Sequence, residues 1–276
     1  MLEQRDAIVR LLSDDDPHTV NLVKQQLLDK GAEAIDGLTE LLTCGSRVVA
    51  NHVRGILTEI DSRSASSELG ALCDDFAKTG DLEKASWLLA RVITPGVQIP
   101  KYERQLDHWG ERVATITANV VSPRERIQLM GEFLGHGLNL RGNSVDYYDP
   151  HNSLLTRVIE TRLGIPISLS VIYMLVAKRA GFNVEGVNFP GHFIVRHERV
   201  MFDPFDRGKI ISMSDCEGIL ARQKMTARSV HFQRATSLTI FTRTLANLYH
   251  IYQSDGDESL ATQIADWIRR LQRVDE

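Results

Sequence analysis

Up to about residue 95 the apolar residues recur at helical spacing, interrupted by short turn signals. The run Leu11-Leu12-Ser13-Asp14-Asp15-Asp16-Pro17 ends one predicted helix and opens the next. Asp16 suits the cap, where a side-chain oxygen meets the free amides of the first turn. Pro17 fits the first helical position because its missing N–H would have had no partner there. Val20, Val23, Leu27 and Leu28 then share a face, and Gly31 supplies a left-handed stop. Ile35, Leu38, Leu41 and Leu42 repeat the unit, Gly45 breaks it, and Val49, Val53, Ile56 and Leu57 resume it. Two prolines and a glycine in Ile93-Thr94-Pro95-Gly96-Val97-Gln98-Ile99-Pro100 mark the clearest boundary.

Beyond it, the pattern predicts a helix over about 101–120 and another opening at Ser122-Pro123-Arg124-Glu125. That tetrapeptide joins a capping serine, a first-turn proline and a glutamate at the third helical position. A polar, glycine-containing loop follows between Leu140 and Pro150, after which Asn152 or Ser153 caps a helix ending at Gly164. Pro166 opens the next helix, with Leu169, Ile172, Tyr173, Val176 and Ala177 on its apolar face and Gly181 at its stop. The period then shortens to that of strands at 184–187, 193–195 and 200–202. From Ser237 it lengthens again: Leu238, Phe241, Leu245, Leu248 and Tyr249 make one helix face, Asp255-Gly256-Asp257 a turn, and Leu260, Ile264, Trp267, Ile268 and Leu271 a second face. The expected class is α+β and mostly helical. The N-terminal helix pairs resemble either HEAT-type repeats or an irregular bundle, and the last pair resembles a single tetratricopeptide unit. Three regions are expected: 1–97, 98–220 and 221–276.

Composition narrows the function classes. Of 276 residues, 43% are apolar and 25% charged, and the net charge of −4 is spread along the chain. Such a balance offers no basic surface for nucleic acid or an anionic membrane. No stretch approaches the roughly 20 continuous apolar residues that span a bilayer. The opening residues to Arg10 are too charged for a secretory leader. Cys44, Cys73 and Cys216 lie far apart without a CxxC pair, which argues against a disulfide framework or zinc knuckle and for a reducing cytoplasm.

Candidate chemistry concentrates between Gly142 and Gly208. Phe189-Pro190-Gly191-His192-Phe193 and Met201-Phe202-Asp203-Pro204-Phe205 flank the polar turn Arg196-His197-Glu198-Arg199. A turn centred between His197 and Glu198 sets His192 opposite Asp203, with Cβ atoms about 5 Å apart. A carboxylate there either fixes the tautomer of an imidazole, as in the outer pair of a catalytic triad, or simply closes the hairpin. Tyr147-Tyr148-Asp149-Pro150 either lines the mouth of the same cleft or anchors its own loop. Asn152 and Asn188 can donate to a bound carbonyl, although helix capping also accounts for Asn152. His136, His151 and His197 show no metal spacing with His192. The Asp14-Asp15-Asp16 run lacks the pattern of a calcium loop, and no phosphate-binding glycine loop is present. Neither metal nor cofactor is expected.

Four islands in order carry a family resemblance: Asn143…Asp146-Tyr147-Tyr148-Asp149-Pro150…Asn152-Ser153, then Gly164-Ile165-Pro166-Ile167-Ser168-Leu169-Ser170, then Gly186-Val187-Asn188-Phe189-Pro190-Gly191-His192-Phe193, then Asp203-Pro204-Phe205. Over about 100–276 the chain resembles SirB-type transglutaminase-like proteins. The resemblance implies a core related to papain-like cysteine proteases and a tetratricopeptide-like tail. It also implies a Gly-x-Cys at the start of the central helix, where the helix N-terminus lowers a thiol pKa. His192 and Asp203 match the family's histidine and aspartate, but Gly164-Ile165-Pro166 puts proline at the cysteine position. Ser168 is set about 200° round the helix, pointing away from His192, and serves better in the first turn. Ser170 and Cys216 are no better as nucleophiles. The expectation is a protein- or peptide-binding module with an altered catalytic centre, using His192 and Asp203 with Tyr148, Asn152, Ser168 and Asn188. The rival is a peptidase, amidase or acyltransferase with His192 as general base. A third reading is a scaffold whose surface near His192 is filled by apolar side chains. Oligomeric state is left open.

Overall fold

A computed structural model describes residues 2–44 and 46–273, so the break expected at Gly45 lies outside the described residues. Thirteen helices and six short strands follow in the described residues. The helices are α1 (Leu2–Leu12), α2 (Pro17–Lys30), α3 (Ile35–Cys44), α4 (Arg47–Asp74), α5 (Phe76–Thr79), α6 (Leu82–Ile93), α7 (Ile99–Thr117), α8 (Pro123–Gly131), α9 (Leu155–Thr161), α10 (Pro166–Arg179), α11 (Met213–Arg222), α12 (Ser237–Asp255) and α13 (Glu258–Leu271). The strands are β1 (Arg141–Gly142), β2 (Leu163–Gly164), β3 (Glu185–Val187), β4 (Ile194–His197), β5 (Val200–Asp203) and β6 (Lys209–Ile210). The chain forms two compact units, one of residues 1–69 with 88–97 and one of residues 70–87 with 98–276.

In the first unit most residues picked out by spacing lie in the core or, like Leu28, Leu42 and Leu57, pack against it, but Ile35 is exposed. Leu12, Val20, Val23, Leu27, Leu38, Leu41, Val49, Val53, Ile56 and Ile60 make one buried cluster. Asp16 caps α2 by accepting from the amides of His18 and Thr19, which holds its carboxyl below the usual carboxylate range. Arg91 closes this unit on Asp61 at 2.6 Å.

The second unit is organised around α10, which is buried along nearly its whole length. A helix apolar all round needs cover on several sides. That cover comes from α7, α9 and α12 and from a four-stranded antiparallel sheet in the order β3-β4-β5-β6. Arg179, in the last turn of α10, ties it to Glu83 at 2.6 Å and to Asp107 at 2.7 Å. Lone β1 and β2 pair in parallel just before α10, with Gly142 opposite Gly164. The helix hairpin α12–α13 turns at Gly256, whose φ of 80° is left-handed. Phe241 of α12 stacks on Phe76 with ring centroids 5.5 Å apart.

Three details differ from the sequence expectations. Residues 150–153 form a tight 3-10 turn capped by Asp149, and α9 begins only at Leu155, so neither Asn152 nor Ser153 caps it. Both side chains are turned inward and buried instead. Pro150 starts that turn for the same reason Pro17 starts a helix. The polar loop also hides the β1–β2 pair, too short to show any alternation. The third difference is the hairpin register. Val195 pairs with Phe202 and His197 with Val200, so the turn is the two residues Glu198-Arg199, with Glu198 at φ 52°.

Candidate functional site

That register moves the turn centre one residue beyond the expected position, and Ile194 rather than His192 falls opposite Asp203. The pairing slides by two residues, and side chains alternate faces with a period of two, so the face is preserved. His192 becomes the diagonal neighbour of Asp203, still within reach of a long side chain. Its Nε2 lies 2.7 Å from Asp203 Oδ2, and the two side chains are 16% and 12% exposed. The other carboxylate oxygen accepts the Phe205 amide at 2.9 Å, starting the 3-10 turn Pro204–Asp206.

This arrangement fixes the proton on His192. A carboxylate only accepts, so Nε2 carries the hydrogen and the neutral ring keeps its lone pair on Nδ1. Nδ1 has no hydrogen-bond partner among the described residues. Under Asp203 lies the fully buried Tyr173 of α10, whose ring meets Phe202 at 6.0 Å. Burial, followed by the nearby Asp203 charge, pushes its phenol well above the usual range.

An aromatic chain connects the imidazole to the start of α10. Phe205 meets the His192 ring edge-on at 6.0 Å and Tyr147 at 6.3 Å, and Tyr147 meets Tyr148 at 5.3 Å. Gly142 makes room for this, since a Cβ there would overlap the Phe205 ring. Pro166 occupies the first position of α10 and is buried, preceded by extended Ile165. Ser168 is 2% exposed. Its hydroxyl donates to the Asn152 carbonyl at 2.5 Å and accepts the Ile165 amide at 3.2 Å. Asn152 in turn donates to the carbonyls of Asp146 at 2.6 Å and Tyr147 at 3.3 Å, and accepts from Asn143 at 3.1 Å. The two residues thus hold the tyrosine loop onto the helix start. Tyr148 stands 76% exposed at its tip.

Asn188, exposed, opens the turn that carries His192, and its Oδ1 accepts from Arg243 of α12. The same guanidinium lies over the Phe193 ring, 5.2 Å from the centroid, so it grips both ends of the turn. A groove of about 460 Å³ runs along α12, lined by Tyr147, Tyr148, Ile165, Asn247, Ile251 and Ser254 among others. Cys216 is fully buried in a cluster with Val187, Phe189 and Ile194, and burial raises its thiol pKa. Cys73 is buried too, its thiol pushed up to about 12 chiefly by desolvation. Among the described residues no group of three or more histidines, cysteines and acids could hold a metal ion, and no helix is long and apolar enough to cross a membrane.

An imidazole in the turn before β4 hydrogen-bonds a carboxylate at the end of β5, and the profile of the Transglutaminase-like superfamily matches residues 100–246. The chain belongs to this superfamily. An uncharacterised relative, a UPF0162 protein of Xylella fastidiosa strain Temecula1, is 31% identical over 214 residues, covering 73% of this chain and 74% of the relative. Another UPF0162 protein, from Vibrio cholerae, is 22% identical over 203 residues, covering 71% and 75%. Human F-box only protein 21 is 33% identical over 113 residues, which is 37% of this chain and 18% of that protein. No solved structure matches.

Sequence reasoning had passed over Arg243, Phe205 as a ring between His192 and Tyr147, and Tyr173 as more than an apolar residue. Arg243 did leave a signal. Thr239, Ile240, Ala246 and Asn247, its neighbours at helical spacing, include no acid to pair with it.

Proposed function

We propose that this chain is a SirB-type member of the superfamily that binds a protein or peptide at a catalytic centre lacking its cysteine. The observation that carries the reading is Pro166 at the first position of α10, at the cysteine position suggested by the family resemblance, while His192 and Asp203 keep a 2.7 Å hydrogen bond. Proline offers no nucleophile. Ser168 in the same turn has its hydroxyl committed to Asn152 and Ile165, and Cys216 is buried. In this reading Tyr148 and Asn188 contact the partner, Asn152 and Ser168 hold the loop that presents Tyr148, and no metal or cofactor takes part. Residues 1–97 act as a HEAT-like region and 221–276 as a tetratricopeptide-like tail around the 98–220 core, offering helical surfaces suited to an extended partner. Unpaired Cys73 and Cys216 are in keeping with a reducing cytoplasm.

One observation favours a second reading, an amidase, peptidase or acyltransferase. The free Nδ1 lone pair is poised to accept a proton from water or from a nucleophile brought by the partner. Selection of displayed random hexapeptides, followed by mass spectrometry of the selected peptides after incubation, separates the two. Binding that is lost in His192→Ala, with peptide masses unchanged, is expected. Peptides hydrolysed, deamidated or joined to amines by the wild type but not by His192→Ala would replace the binding module with an enzyme.

A further inference from the structure

The partly buried arginines of this protein mostly meet carboxylates: Arg91 at 2.6 Å, Arg179 at 2.6 Å, Arg196 at 3.0 Å and Arg270 at 2.9 Å. Arg126 and Arg162 donate to backbone carbonyls instead. Arg243 has neither kind of partner among the described residues. One of its five N–H groups meets Asn188, its face rests on Phe193, and Tyr147 is its only ionisable neighbour of note. Burial presses its pKa below the usual guanidinium range, so the cation is held partly out of water without an anion. Such a charge is costly to leave uncompensated and strongly favours an incoming carboxylate.

Its position on α12 says where that carboxylate would come from. Asn247, His250, Ile251 and Ser254 follow Arg243 at helical spacing on the face that lines the groove. Asp255 stands at the far end of that lining. The groove is mainly apolar between these ends, walled by the two tyrosines, Ile165 and Ile251. From Arg243 to Asp255 the rise along the helix is about 18 Å. At about 3.3 Å per residue, five or six residues of extended peptide cover it. Arg243 lies one helical turn before Asn247, the first α12 residue of the lining, and neighbours Tyr147 of its wall, so a cation just beyond one end and an anion at the other define a direction.

We propose that the groove along α12 takes an extended peptide whose C-terminal carboxylate is bound by Arg243, with apolar side chains between Tyr148 and Ile251 and the amino-terminal direction toward Asp255. This rests on the peptide-binding reading above and names its ligand class. The carboxylate is the peptide C-terminus, since five or six residues between Arg243 and Asp255 bring the two chain ends to the two charges.

Three pools of hexapeptides randomised over apolar residues test this by isothermal titration calorimetry on the full chain. One pool has a free C-terminus and no acid, one an internal glutamate and an amidated end, and one glutamine in its place with an amidated end. The free-C-terminus pool is expected to bind about ten- to a hundred-fold more tightly than the neutral pool, the range of a hydrogen bond to a charged group. A gain confined to the internal-glutamate pool would overturn the proposed direction. In Arg243→Gln the preference should vanish, in Arg243→Lys part of it should remain, and Tyr148→Ala should weaken all pools alike. Equal binding of the three pools, or an equal loss for all three in Arg243→Gln, makes Arg243 a clamp for the His192 turn and overturns the inference while peptide binding stands. Failure of every pool to bind at millimolar concentration removes the peptide-binding reading itself.

Discussion

Replacing Asp203 should separate two jobs that one carboxylate performs. Oδ1 accepts the Phe205 amide at 2.9 Å and Oδ2 accepts His192 Nε2–H at 2.7 Å. In Asp203→Ala both donors lose their acceptor. Loss of the turn cap costs about 1 kcal/mol and loss of the charge-assisted bond about 2 kcal/mol. A total of about 3 kcal/mol corresponds to a Tm fall of about 6–12 °C for a domain of 150–250 residues. Asp203→Asn keeps the oxygen facing Phe205, so its cost should be about 1 kcal/mol. It reverses the other bond, however, because an amide nitrogen now donates to Nε2 and the ring proton must move to Nδ1. Long-range 1H–15N correlation spectra of the histidine ring read the tautomer directly, and thermal melts of both variants read the stability. An Asn variant with the proton still on Nε2 would refute the tautomer argument. An Ala variant melting within a degree of wild type would refute the cap argument.

Other outcomes follow from the same neighbourhood. Gly142→Ala should force the Phe205 ring aside and cost about 1–3 kcal/mol by overpacking, seen as a lower midpoint in urea; an unchanged midpoint would mean that the ring is free to move. Cys73 and Cys216 should stay unmodified in native protein treated with iodoacetamide at pH 8, since both are buried and protonated there, the first up to about pH 12; peptide mapping that finds either one alkylated without unfolding contradicts their burial. Pro166→Cys should cost ~1 kcal/mol or less, because the first helical position needs no amide partner. If the His192 pair is still arranged for chemistry, the new thiol should react faster below pH 8 than a free cysteine, and His192→Ala should abolish the gain. A thiol indifferent to His192 would show an arrangement that no longer activates nucleophiles.

The elements whose signals are local were legible in the sequence. Asp16-Pro17, Ser122-Pro123 and Gly256 mark helix ends by the chemistry of free amides and left-handed backbone, and the structure uses each that way. The hairpin was legible in its strands but not in its register, because a two-residue turn at Glu198-Arg199 requires a left-handed glutamate that nothing in the composition announces. The His192–Asp203 contact was expected from a wrong register and still formed, since a slide of two keeps the face. What no local pattern could carry were the contacts between distant segments. The Phe205 ring over Gly142 and the Arg243 grip on Asn188 join segments more than fifty residues apart, and only the packed chain brings them together.

The shared carboxylate has a consequence for reading descent. Asp203 holds up the turn that follows its strand whether or not any reaction occurs, so selection for a stable chain alone would preserve it. His192 has no comparable structural duty, as its ring's one hydrogen bond among the described residues is to Asp203 itself, and its backbone amide bonds Phe189 whatever the side chain. Among relatives, retention of the aspartate therefore carries little information about chemistry, whereas the histidine position records whether the site is still in use. A lineage that drifted to a pure scaffold would lose the imidazole first and keep the acid beneath it.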